Sequence, residues 1–235
     1  MNKEEFLIET KKIGIDITEE QLVLLDRFYH LLVEWNNKIN LTTITSYEEV
    51  YLKHFFDSLT LYKEINLNKN IHLCDVGTGA GFPGIVLKIC FPNLKITLID
   101  SLQKRVIYLN EIIRELGLTE IEAIHIRMEY FSRNNEEKFD IITARAVANM
   151  NVLIEISVRS LKIGGNLILM KANCEDEIKS SKKTITELGC KLIKINEFQL
   201  PKEGSKRTLI NIKKLEKTKA KYPRSIDKIR KTINR

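Results

Sequence analysis

A glycine-rich stretch near the middle of the chain has the residue types of a loop that binds a small molecule. Residues 74–84 read CDVGTGAGFPG, and Asp75 stands two positions before the first glycine. Glycine lets backbone approach a ligand closely. A tight turn without a ligand is the alternative, but four glycines within eight residues, between a predicted strand and a predicted helix, favour a binding loop. These glycines are Gly77, Gly79, Gly81 and Gly84.

The residues that accompany the glycines distinguish two classes of ligand. Read from Gly79, the stretch fits the G-x-G-x-x-G pattern of dinucleotide-binding loops. A pyrophosphate is bound by backbone N–H groups, so Asp75 would repel it, and Pro83 has no N–H to offer. S-adenosylmethionine has no phosphate, and its ammonium group can donate hydrogen bonds to Asp75. The stretch therefore favours S-adenosylmethionine, and a nicotinamide-dependent oxidoreductase is the alternative.

A second acidic residue predicts where a ribose would lie. Asp100 ends the next predicted strand, LKITLID, 25 residues after Asp75. An acid at that position binds ribose hydroxyl groups in sheets of this kind. Because both cofactors contain a ribose, Asp100 does not choose between them.

The segment before these residues, 1–65, is predicted to form an N-terminal helical cap. Thr18 is placed to cap one helix, whose apolar residues repeat on a single face. Ser46 and Glu49 have the spacing of a capping box for a second helix, which runs to about Ile65. The segment has few strand signals, so we expect it to pack as a layer on the rest of the chain.

From Ile71 onwards, strands alternate with helices, and this order predicts a mostly parallel sheet with helices on both faces. The segment 152–165, VLIEISVRSLKIGG, is predicted to be a helix that ends at a glycine pair. Two strands joined by 201–207, PKEGSKR, predict a C-terminal antiparallel hairpin. The fold class is therefore α/β and Rossmann-like, with seven strands. We expect a domain from 66 to 215, followed by a basic tail from 216 to 235.

In such a sheet, ligands bind beyond the carboxyl ends of the strands. The glycine stretch, Asp100 and the segments after the third and fourth strands are therefore predicted to surround one crevice.

Several further motifs accompany the glycine stretch. With it, they resemble the bacterial small-subunit ribosomal RNA guanine-N7 methyltransferases, also called glucose-inhibited division protein B. This family lies within the class I S-adenosylmethionine-dependent methyltransferases, and the resemblance runs from about Trp35 to Pro223. The motifs are W-N-x-K-I-N-L-T (35–42), Y-L-K-H-F-x-D-S (51–58), D-V-G-T-G-A-G-F-P-G (75–84), D-S-x-x-K-R (100–105), T-A-R-A-V-A (143–148) and Y-P-R (222–224).

The resemblance implies an enzyme that transfers a methyl group from S-adenosylmethionine to N7 of a guanine in a loop of 16S rRNA, by direct in-line transfer. It implies a set of cofactor-binding residues: Asp75, Gly77, Gly79, Gly81, Phe82, Asp100, Met128, Glu129 and Arg145. The predicted catalytic residues are Arg145, His54 and Asp57. The predicted RNA-binding residues are Lys104, Arg105, Lys206, Arg207 and Arg224.

Each of these assignments has an alternative. Phe82 can be a core residue, Glu129 a solvated loop acid, and the pair His54 and Asp57 a local helix contact. The enzyme can act on a different RNA, a small molecule or a protein, or the chain can be a non-catalytic RNA-binding module. The chain also departs from the family pattern at two places: Ala172 stands where a glycine usually follows the lysine, here Lys171, at the end of the fifth strand, and the tail after Pro223 contains neither glycine nor proline.

The charge of the chain is concentrated at its end. The whole chain has a net charge of +7, and the segment from Lys213 onwards carries ten basic and two acidic residues, a net +8, so the preceding 212 residues sum to −1. Such a distribution predicts a polyanionic partner, here the 16S rRNA of the small ribosomal subunit. A solubilising tail is the alternative.

The remaining composition favours a cytoplasmic monomer without a metal site. No apolar run approaches the ~18 residues of a membrane span, and the N-terminus lacks the apolar core of a signal peptide. The four cysteines contain no C-x-x-C pair, and we expect buried free thiols. The four histidines are scattered without metal-ligand spacing.

Overall fold

The N-terminal layer of the protein is helical, as the sequence predicts. A computed structural model describes residues 1–233. Thr18 caps the longest helix with a full capping box, accepting a hydrogen bond from the backbone N–H of Gln21, and Asn40, with a φ of +48°, ends that helix. The layer contains helices α1 (Lys3–Lys12), α2 (Glu19–Ile39), α3 (Tyr47–Glu49), a π-helix (Val50–Phe56), α4 (Asp57–Leu59) and a 3₁₀-helix (Thr60–Lys63).

The second helical segment differs from its prediction in two ways. Ser46 makes no side-chain cap, because its hydroxyl instead donates to the carboxylate of Glu49 at 2.9 Å. The predicted capping box at this position is therefore wrong. The segment is also not one α-helix, since a π-helix (Val50–Phe56) interrupts it. A π-helix is rare and often marks a functional site.

The rest of the chain forms the predicted seven-stranded sheet. Its strand order is β3-β2-β1-β4-β5-β7-β6, and only β7 runs antiparallel to its neighbours β5 and β6. The strands are β1 (His72–Val76), β2 (Lys95–Asp100), β3 (Ile121–His125), β4 (Phe139–Arg145), β5 (Leu161–Lys171), β6 (Cys190–Gln199) and β7 (Lys206–Lys214). The helices are α5 (Gly84–Cys90), α6 (Gln103–Glu115), α7 (Met128–Asn134), α8 (Met150–Ser157), α9 (Glu175–Glu187) and α10 (Ile226–Ile233), with a 3₁₀-helix at Val158–Ser160.

The glycine pair Gly164 and Gly165 lies in strand β5, so the prediction of a helix through residue 165 is wrong. Helix α8 ends at Ser157, and β5 begins at Leu161. Strand β5 approaches β4 closely here, since a Cβ on Gly165 would lie 2.8 Å from the backbone oxygen of Asp140. Glycine therefore meets a packing requirement between strands.

Two apolar layers cover the two faces of the sheet. The cap, α5 and α6 form one layer, and α7, α8, α9 and α10 form the other. Phe28 of α2 lies at the centre of the first layer, where its ring stacks on Phe55 and also contacts Phe82 of the glycine stretch. The cap is thus packed directly on the predicted ligand-binding loop, and the domain boundary after residue 65 stays a prediction.

All four cysteines, Cys74, Cys90, Cys174 and Cys190, are buried free thiols, as predicted. Among residues 1–233, no helix has both the length and the apolar character needed to cross a lipid bilayer.

We expect Phe28→Ala to lower the free energy of unfolding by about 3–5 kcal/mol, because it empties a fully buried aromatic site. Val23→Ala on the same helix is the matched control, since Val23 is 66% exposed, and we expect it to cost less than about 0.5 kcal/mol. Urea unfolding measures both. Equal losses in the two variants would contradict the packing of the cap described above.

Candidate active site

The glycine stretch forms a loop between β1 and α5 that is held from behind by Asp75. The Asp75 side chain is fully buried, and its Oδ2 accepts hydrogen bonds from the hydroxyl of Thr78 at 2.6 Å and the backbone N–H of Gly84 at 2.9 Å. Burial raises the pKa of this carboxyl to about 6, against the opposing effect of these hydrogen bonds. The predicted hydrogen bond to a ligand ammonium group stays a prediction, and it would use Oδ1, which has no partner within residues 1–233.

Asp100 braces the same loop from the neighbouring strand. Its Oδ2 accepts from the backbone N–H of Gly79 at 3.0 Å, and its Oδ1 accepts from the N–H of Leu102 at 2.9 Å. The guanidinium of Arg105 lies 3.4 Å from Oδ2. Asp100 also lines a pocket, so it remains available to a ribose there.

Two cavities meet at Gly77. The larger, which we call the crevice, has a volume of about 570 Å³ and lies between the glycine loop and the cap. The smaller, which we call the side pocket, has a volume of about 380 Å³ and lies beyond β2 and β3. A Cβ on Gly77 would lie 2.7 Å from the side chain of Val147, so only glycine fits between the two cavities.

The predicted site residues divide between these two cavities. The crevice is lined by Gly77, Gly79, Phe82, His54, Asp57, Arg105, Arg145 and Arg207. The side pocket is lined by Gly77, Asp100, Met128 and Glu129. Glu129 is buried, not a solvated loop acid, and the guanidinium of Arg127 lies 3.6 Å from its carboxylate. Of the predicted cofactor-binding residues, Asp75 and Gly81 line neither cavity.

Asp57 joins two arginines at the wall of the crevice. Its Oδ2 accepts from Arg145 Nη1 at 3.0 Å, and its Oδ1 accepts from Arg207 Nε at 3.0 Å. Arg145 ends β4, and Arg207 lies in β7 on the other side of β5. The single negative charge of Asp57, from the cap, therefore lies between two positive charges of the sheet and balances one of them.

His54 completes this wall as a neutral ring. Burial, followed by the charge of Arg145, lowers its pKa to about 3. Its Nδ1 lies 3.2 Å from Arg145 Nη2 and 3.2 Å from the backbone oxygen of Lys53. Nδ1 would have to accept a hydrogen bond from the first and donate one to the second. A guanidinium can only donate, and the Lys53 oxygen already accepts from Arg145 Nη1 at 2.9 Å. Nδ1 therefore accepts, and the proton on Nε2 is donated to the hydroxyl of Thr42 at 3.0 Å.

Phe82 connects this wall to the glycine loop. Its ring stacks on His54 with centroids 4.4 Å apart, and the guanidinium of Arg145 lies 5.2 Å from its centroid. Phe82 also packs in the core, and its predicted contact with the cofactor stays a prediction. The loop, the cap and the end of β4 thus meet at one aromatic ring.

The predicted RNA-binding residues are dispersed, and most have acidic partners. Lys206 pairs with Glu175 and Glu197, and Arg224 pairs with the buried Glu155. Arg105 and Arg207 pair with Asp100 and Asp57, as described above. Lys104 is exposed at the start of α6. Contact of these five residues with RNA stays a prediction.

Some residues that line the two cavities are not among the predicted site residues. Thr42 and Lys53 line the crevice, and each lies within one of the quoted motifs. Membership of a motif was the one sequence feature that could have indicated them. Lys171 ends β5 and donates to the backbone oxygen of Ala148 at 2.8 Å. Ile226 and Arg230 of the tail line the side pocket, and no motif indicated them.

The comparisons with known proteins decide the family. Residues 21–210 match the family described as rRNA small subunit methyltransferase G. The chain belongs to this family. It is 46% identical over 227 residues to the ribosomal RNA small subunit methyltransferase G of Geobacillus sp. (strain WCH70), covering 95% of each chain. The protein of the same name from Lysinibacillus sphaericus (strain C3-41) gives the same identity and coverage.

The fold has a counterpart among solved structures. A SAM-dependent methyltransferase from Aquifex aeolicus superposes with a TM-score of 0.54 at 19% identity, covering 78% of this chain and 98% of that one. At this identity the likeness shows the fold alone, a class I methyltransferase sheet. It confirms the predicted fold class.

The residues present fit S-adenosylmethionine, the methyl donor of this family. The crevice and the side pocket both have Gly77 in their linings, so they lie on the two sides of the glycine loop. Asp100 offers a carboxylate to a ribose in the side pocket, and Asp75 has an unpartnered carboxylate oxygen behind the loop. Within residues 1–233, no three His, Cys, Asp or Glu side chains cluster in a way that could hold a metal ion.

The buried neutral His54 predicts a pH dependence of stability. Because its pKa falls from 6.5 to about 3 on folding, the unfolded chain binds more protons between these values, and stability is lost as pH falls through this window. We expect His54 to contribute a slope of up to about 1.4 kcal/mol per pH unit below pH 6.5.

Urea unfolding between pH 7 and pH 5 measures this slope. The His54→Gln variant should lose less stability than the wild type over this range, and His125→Gln, at an exposed histidine, should match the wild type. Parallel profiles for all three proteins would show that His54 is not held neutral.

Proposed function

We propose that this protein transfers the methyl group of S-adenosylmethionine to N7 of a guanine in 16S rRNA. Membership of the rRNA small subunit methyltransferase G family supports the RNA substrate and the reaction class. The observation that carries the choice of N7 is the composition of the crevice wall. His54 has a pKa of about 3 and is a poor proton acceptor at neutral pH, and the two carboxylates that line the crevice are both paired, Asp57 with Arg145 and Arg207 and Glu177 with Lys171.

Guanine N7 is a nucleophile that needs no base. When bound, S-adenosylmethionine supplies an electrophilic methyl group that the N7 lone pair can attack in line, with no proton to remove. An exocyclic amine would instead lose a proton during transfer. A wall that orients the substrate without accepting a proton therefore fits N7. Catalysis then comes from positioning, which can supply roughly 7–11 kcal/mol.

Arg145 is our candidate for the residue that orients the guanine. Its guanidinium has five N–H donors, and the contacts with Asp57, His54 and the Lys53 backbone leave donors for a substrate. Arginine commonly contacts both O6 and N7 of guanine. Because N7 must keep its lone pair free for the methyl group, we propose that Arg145 donates to O6 alone.

His54 and Asp57 act as positioning residues in this proposal. Their hydrogen bonds hold the plane of the Arg145 guanidinium, and the carboxylate of Asp57 balances its charge. Phe82, in the loop proposed to bind the methyl donor, packs against the same guanidinium. A guanine held by Arg145 would therefore lie beside the donor.

The wider surface supports an RNA partner. Lys53, Lys171 and Arg207 line the crevice, and Lys104 is exposed near Arg105 at its edge. We propose that these cations bind phosphates around a splayed-out base, the usual way in which single-stranded RNA is recognised. We also propose that the protein works as a monomer in the cytoplasm.

Purified protein supplied with methyl-labelled S-adenosylmethionine tests the function. Small ribosomal subunits, naked 16S rRNA and a panel of small molecules are offered in parallel. We expect label in the rRNA, recovered after digestion as 7-methylguanosine. Label only in a non-RNA product would reject the proposed substrate, and label at a different position of the base would reject transfer to N7.

The Arg145→Lys variant tests the orienting role. Loss of hydrogen bonds from a charged donor should lower the rate of rRNA methylation about ten- to hundredfold. Arg114→Lys, at a guanidinium on the exposed face of α6, is the matched control and should behave as the wild type. An unchanged rate in Arg145→Lys would rule out this role for Arg145.

A further inference from the structure

Within residues 216–233, the basic tail does not extend away from the methyltransferase domain. Its helix α10 packs on the second face of the sheet, where Ile229 is 1% exposed within the apolar core. Ile226, Asp227 and Arg230 of the same helix line the side pocket. The same pocket is lined by Asp100, which is predicted to bind a ribose, and by Met128, a predicted cofactor-binding residue.

The segment before α10 is fixed to the domain by hydrogen bonds. Arg224 donates from its backbone N–H and from two guanidinium nitrogens to Glu155, which is 1% exposed on α8, at 2.8, 2.8 and 2.6 Å. Arg159 donates to the backbone oxygen of Tyr222 at 3.1 Å, and Arg133 donates to that of Pro223 at 3.0 Å. A bidentate arginine–carboxylate pair is a strong and specific contact.

The arrangement of side chains on α10 separates two faces. Ile226 and Arg230 are four residues apart and therefore neighbours on one face, which lines the side pocket. Lys228 and Lys231 are exposed. Neither lysine lines the side pocket, to which α10 instead presents an apolar, an acidic and a basic side chain.

We propose that α10 is a wall of the cofactor site that binds the adenosine portion of S-adenosylmethionine. This inference rests on the proposed function. Ile226 offers an apolar surface to the adenine ring, Asp227 accepts from amino or hydroxyl groups of the nucleoside, and Arg230 donates to its ring nitrogens or hydroxyl oxygens. A nucleoside presents all three kinds of group, and an RNA backbone would not favour Asp227.

Binding of the cofactor alone, measured by calorimetry in the absence of RNA, tests this proposal. One variant ends after Arg224, so that the Glu155 contact is kept and α10 is removed. A second, Arg230→Ala, keeps the helix. We expect about tenfold weaker binding of S-adenosylmethionine without α10, and about three- to tenfold weaker binding in Arg230→Ala. Lys231→Ala removes the same charge from the same helix outside the pocket, and its affinity should equal that of the wild type.

5′-Methylthioadenosine locates the effect, because it contains the adenosine portion and lacks the amino acid. Its binding should weaken in Arg230→Ala by the same factor as that of S-adenosylmethionine. Unchanged affinities in both variants, or a loss shared by Lys231→Ala, would overturn the proposal. Failure of the proposed function is a different result, in which the full-length wild type itself does not bind S-adenosylmethionine.

Discussion

The ion pairs of Asp57 with Arg145 and Arg207 are the contact on which the crevice depends. The three side chains are between 6% and 21% exposed, so their charges are largely removed from water. Buried charges are tolerated when they are paired, and removing one partner leaves the others uncompensated. Asp57 belongs to the helical cap, and both arginines belong to the sheet. The same carboxylate therefore docks the cap and holds together two cations that would otherwise repel each other.

The local backbone explains how these groups reach one place. The π-helix Val50–Phe56 contains His54 and leads directly into Asp57. Ala146, immediately after Arg145, has a φ of +53°, a conformation that costs a non-glycine residue energy and recurs at functional sites. Val147 then packs against Gly77, so the end of β4 turns over the cofactor loop. Irregular backbone on both sides of the crevice brings substrate-facing and cofactor-facing groups into contact.

The sequence predicts the sheet and the position of the loop well, because both follow from local patterns. Strand ends carry Asp100 and Arg145, and parallel strands bring their carboxyl ends to one edge. The helix predicted through residue 165 failed for a physical reason. An apolar run with a glycine pair suits a helix end as well as a strand that approaches its neighbour closely, and only the packing against Asp140 distinguishes them.

The partners of the charged residues could not be predicted in the same way. Asp57 and Arg207 are 150 residues apart, and nothing in their local sequence indicates that they meet. The Arg207 side chain was therefore predicted to contact RNA, as was Arg224, which pairs with Glu155. Charge composition predicts a polyanionic partner for the tail but does not indicate that its helix lines the side pocket.

Asp57 organises the substrate side of the crevice and leaves the cofactor loop intact, so the Asp57→Asn variant should separate rRNA methylation from cofactor binding. Asparagine keeps the shape and removes the charge that holds Arg145 and Arg207. We expect rRNA methylation to fall about a hundredfold, the effect of about 2.7 kcal/mol in the barrier, with S-adenosylmethionine affinity within about twofold of the wild type. Asp140→Asn, at a carboxylate that pairs with Lys162 near the opposite ends of the strands, is the control. Wild-type methylation by Asp57→Asn would show that Asp57 does not organise the crevice.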